Sequence, residues 1–113
     1  MNLIGCWVSK ECYNAKTFID KVIEFIEDDK VVIFSYFDRK KSIYPYTVLE
    51  STAEYKTILI EDGLNIPNKL EFVDKNEVKF LSTVDENVYI NLIRISVEDA
   101  MPFIDVIEDH ALC

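Results

Sequence analysis

Lys30-Val31-Val32-Ile33-Phe34-Ser35-Tyr36-Phe37 decides the fold class of this chain. It is rich in β-branched and aromatic residues, and from Lys30 onward the apolar pattern takes a period of two. The same chemistry recurs downstream. Residues 31–37, 43–50, 55–61, 69–74, 77–81 and 88–96 read as strands. The polar links between them, 38–42, 51–54, 62–68, 75–76 and 85–87, are short, so neighbouring strands run antiparallel. Asp62-Gly63 and Ile66-Pro67-Asn68 supply turn chemistry.

Upstream, residues 3–9 form a short apolar segment with Gly5 and Trp7, read as a first strand. Residues 15–28 then predict a helix. Ala15, Phe18, Ile19, Val22, Ile23 and Ile26 follow i, i+3, i+4 spacing, and Asn14 can cap it. Phe25 falls outside that stripe, and a strand over 22–27 alternates less well. After Ser96 the pattern turns helical again. Asp99 is a candidate cap, Pro102 then falls in the first turn, and Phe103, Ile104, Ile107 and Ala111 form a stripe. The expected class is α+β, with residues 1–113 as a single domain. A curved antiparallel meander of six to eight strands forms a half-barrel, small barrel or sandwich. One helix follows the first strand and one closes the chain.

Composition narrows the function classes. The 113 residues are 50% hydrophobic and 12% aromatic, which argues against disorder. Folding a chain of this length buries roughly two-thirds of its surface, enough for a core without staples. The N-terminus shows no basic-then-apolar leader, and no apolar run approaches the ~20 residues of a membrane span. With no leader visible, a cytoplasmic address is expected, where three cysteines, an odd number, are free thiols by default, and the abundance of Ile, Lys, Asn, Asp, Glu and Tyr is compatible with a bacterial origin. Net charge is −9, from 21 Asp+Glu against 12 Lys+Arg. Such a surface repels nucleic acid and anionic lipid and attracts basic proteins.

The acids sort by the geometry of a meander, which sends its turns alternately to two ends. One end collects Glu27, Asp28, Asp29, Glu50, Glu54, Asp74, Glu77, Glu98 and Asp99 against Lys30, Lys56 and Lys75. The other sets Asp38, Glu61, Asp62, Asp85 and Glu86 against Arg39, Lys40, Lys41 and Lys69. The first end is acidic and the second near balance. Asp28, Asp29, Glu50, Glu54, Asp74 and Glu77 are the candidate partner-binding residues.

Catalytic chemistry is hard to assemble. The single histidine, His110, lies near the C-terminus beside no recognisable nucleophile. Cys6, Cys12, His110 and Cys113 do not match paired-cysteine zinc spacing, because five residues separate Cys6 from Cys12. No enzyme activity, metal or cofactor is expected.

Gly5-x-Trp7 on the first strand with Arg94 late in the last strand resembles the calycin superfamily of lipocalins and fatty-acid-binding proteins. The resemblance implies that Arg94 packs over Trp7, and it raises the alternative of a small carrier of a hydrophobic ligand. Phe34, Tyr36, Phe37, Tyr44, Tyr46, Tyr55, Phe72, Phe80 and Tyr89 would then line or fill the interior. In overall character the chain looks like the immunity proteins of contact-dependent growth-inhibition systems: small, single-domain, acidic and without catalytic motifs. That likeness implies a basic toxin partner, frequently a nuclease. A third reading, an acidic mimic of nucleic acid, needs extended rows of carboxylates, whereas apolar strands interrupt the acids here.

Overall fold

The computed structural model describes residues 2–16, 19–82 and 88–111, with backbone only for 82 and 107–111. Phe18, Asp85, Glu86 and Cys113 lie outside the described residues, as do the side chains of Ile107, Glu108, Asp109, His110 and Ala111.

The strands are β1 (Gly5–Ser9), β2 (Lys21–Ile26), β3 (Lys30–Ser35), β4 (Lys40–Ser51), β5 (Tyr55–Ile60), β6 (Asn68–Asp74), β7 (Glu77–Ser82) and β8 (Tyr89–Ile95). Each pairs antiparallel with the next. The eighth returns to the first, with Trp7 opposite Arg94 and Val8 opposite Ile93, and so closes a barrel. Helix α1 (Lys10–Asn14) follows β1, and helix α2 (Val97–Ala111) ends the chain. The expected α+β class, a barrel-like meander with these two helices, is the fold observed.

The helix expected at 15–28 is absent from that position. The helix after the first strand is the short α1, where Ser9 Oγ accepts from the Cys12 amide. Residues 21–26 are strand β2. The reason is that β2 is covered on both faces. Phe25 and Ile23 pack with the barrel interior, while Val22 and Ile26 pack with an outer apolar layer. A strand apolar on both faces reads Val-Ile-x-Phe-Ile, and its apolar positions mimic a helical stripe. Phe25, the misfit in the helix reading, is an interior side chain only 1% exposed. Helix α2 also begins earlier than expected. Ser96, not Asp99, caps it by accepting from the Asp99 amide at 3.1 Å. Pro102 therefore sits inside the helix rather than in its first turn.

Two apolar layers result. Trp7, Phe25, Val31, Ile58, Leu70, Val78 and Leu92 fill the barrel. Outside β1–β3, Cys6, Val8, Val22, Val32 and Phe34 lie under Ala100 and Ile104 of α2. Eight strands enclose just enough space for side chains to fill.

The N-terminus seals one end. Leu3 is buried in the interior cluster, and its carbonyl accepts from Trp7 Nε1 at 2.8 Å. The Arg94 guanidinium lies over the Trp7 ring, 4.7 Å from its centroid. It also donates through Nη1 to the Ile4 carbonyl at 2.8 Å and through Nη2 to the Asn2 carbonyl. Gly5 makes room for this arrangement. Its φ is +136°, and an added Cβ would meet Arg94 Cδ at 3.4 Å. Gly5→Ala is therefore expected to cost about 1–3 kcal/mol through backbone strain. Urea unfolding measures it, and an unchanged midpoint would show that the segment Asn2–Gly5 and the Arg94 side chain relax freely.

Candidate functional site

The closed meander sorts the turns as the spacing implies. The β2–β3, β4–β5 and β6–β7 turns and the start of α2 emerge at the end sealed by Leu3. Each of those turns is tied to the strand beyond it. The Tyr46 amide donates to the Asp29 carbonyl (2.8 Å), Phe72 to Glu54 (2.9 Å) and Arg94 to Asn76 (2.8 Å). Strands lie about 4.8 Å apart, so successive turns sit roughly 10 Å from one another around the rim. That spacing is close to a Debye length at physiological salt. The acids there form a ring whose fields overlap, not a tight cluster.

The six predicted residues divide. Asp28 and Asp29 occupy the β2–β3 turn with φ of 66° and 55°, values that Asp tolerates better than most residues. Burial, and then the charge of Asp29, raise the pKa of the Tyr46 hydroxyl. Glu54 stands in the β4–β5 turn, where Thr52 Oγ1 accepts from its amide. Asp74 Oδ1 accepts from the Asn76 amide at 2.7 Å and shapes the β6–β7 turn. These four are exposed at the rim, and none forms an ion pair among the described residues.

Glu50 and Glu77 instead face the outer wall. Glu50 accepts from the Tyr55 hydroxyl at 2.6 Å, which raises that hydroxyl's pKa. Lys69 covers the Tyr55 ring and pairs with Glu71 at 3.2 Å. Glu77 pairs with Lys10 at 2.8 Å and is largely covered. The cause is ladder stagger: Glu77 lies opposite Ile93, and Ile93 opposite Val8, so the start of β7 reaches the level of α1. A partner so remote in sequence has no local signal.

The opposite mouth carries a feature that the residue pattern did not indicate. Ile19, Ile23, Phe37, Ile90 and Leu92, with Ser9, Cys12, Asp20 and Lys21, line a cleft of about 290 Å³. Asp20 organises its edge, accepting from the Tyr36 amide through its carbonyl and from the Phe37 amide through Oδ1, both at 2.8 Å.

Among the described residues, no group of three or more His, Cys, Asp or Glu is placed to hold a metal ion. Among the described residues, no helix is long and apolar enough to cross a membrane. Cys6 is 1% exposed, and burial together with neighbouring Glu24 pushes its thiol up to about 11. A raised folded-state pKa means that the native protein holds this proton longer than the unfolded chain does. Its contribution to stability is complete below about pH 8.5 and is lost as pH rises toward 11. Alkylation of the native protein at pH 8, mapped by mass spectrometry, should therefore leave Cys6 unmodified while the half-buried Cys12 reacts. Equal labelling of the two would contradict the burial of Cys6.

No protein family, curated protein or solved structure matches the chain.

Proposed function

We propose that the protein is an inhibitory binding protein of the immunity type, acting on a basic toxin, with a nuclease the best-fitting class. The observation that supports this reading is the ring of exposed carboxylates, Asp28, Asp29, Glu54 and Asp74, on tied turns around a sealed barrel end. Held on rigid hairpins, the ring presents negative potential without first being ordered. Nuclease clefts are positive because their substrate is polyanionic, and such a ring competes for them. Glu50 and Glu77 then contribute to the field from the wall rather than by direct contact. In this reading the protein has no catalytic step, binds no nucleic acid directly and works in the cytoplasm.

The test is protection. Cells expressing a basic toxin encoded beside this protein's gene should survive only when the protein is present, and the purified pair should associate at rates that fall with salt. Survival without the protein, or binding indifferent to salt, would refute the reading.

The cleft at the opposite mouth favours a second reading, a carrier of a small apolar ligand. Its volume lies at the lower limit of small-molecule sites, and the barrel behind it is filled by side chains. Native mass spectrometry showing a co-purified lipid or aromatic molecule would move this reading to the front.

A further inference from the structure

The barrel is closed, but its stagger leaves one length of strand edge unpaired. Strand β4 is 12 residues long. Its ladder with β3 ends at Pro45, opposite Lys30, while its ladder with β5 runs from Tyr46 to Ser51. The Tyr46 amide still donates to the Asp29 carbonyl, at 2.8 Å. Beyond it, no described residue continues the pairing on that side.

Backbone groups of an antiparallel strand alternate between its two sides. The Glu61 amide donates to the Pro45 carbonyl, so residues 45 and 47 turn toward β5, and 46 and 48 turn away. The Thr52 amide donates to the Tyr55 carbonyl, so residue 50 turns toward β5 and 51 away. Between the two lies a bulge, with Leu49 as the extra residue. Val48 and Ser51 therefore present backbone N–H and C=O groups along an open edge, and residues 47–51 are all exposed. Of the devices that usually blunt an edge, proline, lysine and a bulge, only the bulge is present. It leaves apolar Val48 and Leu49 40% and 53% exposed.

We propose that the toxin is held here by strand addition: an extended segment of it, bearing Lys or Arg side chains, pairs with the β4 edge from Val48 to Ser51. The proposal rests on the inhibitory reading above and specifies the contact that retains the partner. The edge begins where Asp29 is tied to Tyr46, so it is continuous with the acidic ring. The two flanking turns and the overhang carry Glu27, Asp28, Asp29, Glu50 and Glu54 against Lys30 and Lys56. Basic side chains on an added strand meet this negative flank. A second copy of the chain fits worse, because two-fold pairing of 47–51 with itself sets the same acids of both copies against each other. The ring then steers the encounter, and the edge supplies the backbone hydrogen bonds that slow release.

Amide hydrogen exchange read by NMR tests this, on the free protein and on its complex with the basic toxin encoded beside its gene. In the free protein the Val48 and Ser51 amides should exchange quickly and the Thr47 amide slowly. In the complex the first two should slow by about tenfold or more. Val48→Pro and Ser51→Pro, made singly, each remove a donor that no described residue uses, at an edge where proline is tolerated. Each should keep the wild-type circular dichroism and raise the toxin's dissociation rate by about tenfold. The association rate and its salt dependence should not change. Slow exchange of Val48 and Ser51 in the free protein overturns the proposal, because the edge would already be covered. So do amides that stay fast in the complex, or a folded proline variant that releases toxin no faster than the wild type. Those results leave the inhibitory reading standing, whereas a toxin that does not bind the wild-type chain removes both. A concentration-dependent dimer abolished by Ser51→Pro assigns the edge to a second copy and also overturns the proposal.

Discussion

Trp7→Ala is expected to lower stability by about 3–5 kcal/mol, the range for truncating a large aromatic in a core. Against a typical total of roughly 5–15 kcal/mol, that is enough to leave a substantial unfolded fraction. Trp7 is fully buried in the barrel interior. Its loss also leaves the Leu3 carbonyl without the indole donor and removes the ring beneath Arg94. That second consequence is specific to this barrel. The Arg94 Nε is buried without a hydrogen-bond partner among the described residues, and burial already pulls the guanidinium below its usual pKa. The aromatic face is what compensates the desolvated cation. Trp7→Phe should therefore recover much of the packing but not the hydrogen bond, and lose about 1–3 kcal/mol. A cycle of Trp7→Phe, Arg94→Lys and the double variant should show coupling. Urea unfolding followed by far-ultraviolet circular dichroism measures all four forms. A Trp7→Ala cost under about 1 kcal/mol would mean that this end of the barrel is not packed as described.

The second large effect concerns association. Asp28→Asn, Asp29→Asn, Glu54→Gln and Asp74→Asn together remove four charges while preserving shape. Asn is the right replacement at residues 28 and 29, whose positive φ angles of 66° and 55° a lysine would tolerate poorly. It also keeps an acceptor for the Asn76 amide at position 74. With a basic toxin, the association rate at low salt should fall by about tenfold or more, and its salt dependence should flatten. Carboxylates that become buried in the complex should instead speed dissociation, at a cost that can reach about 2–5 kcal/mol. Stopped-flow association at several ionic strengths separates the two. Glu50→Gln serves as the internal comparison, since that carboxylate is held on the wall by Tyr55. If the fourfold variant associates and protects like the wild type, the acidic ring is not the binding surface. If Glu50→Gln alone reproduces the loss, binding lies on the β4–β6 wall.

Six of the eight strands could be read from residues 31–96, because runs rich in β-branched and aromatic residues alternate there with short polar links. Alternation carries that information locally. The sorting of turns into an acidic and a balanced end followed from the same reading, since an antiparallel meander has only two ends. Strand β2 was not legible, and the reason lies outside it. Helix α2, some eighty residues later, covers its outer face, so residues 21–26 carry apolar side chains on both sides and lose the period that marks a strand. The short α1 was hidden for a related reason. Among its described contacts it contributes no buried residue, so it leaves no apolar stripe.

Local pattern thus determined the class of the fold, the sense of its strand pairing and the end at which the acids gather. Tertiary structure alone decided closure, because β1–β8 pairing joins residues nearly ninety positions apart and depends on the curl of the whole sheet. It also decided which carboxylates stay free. The stagger of a closed barrel carries Glu77 to Lys10 and sets Glu50 beside Tyr55, while Asp28, Asp29, Glu54 and Asp74 remain on the rim. A charge's position along the chain gives the end of the sheet on which it falls, but only the register around the barrel sets the neighbour that it meets.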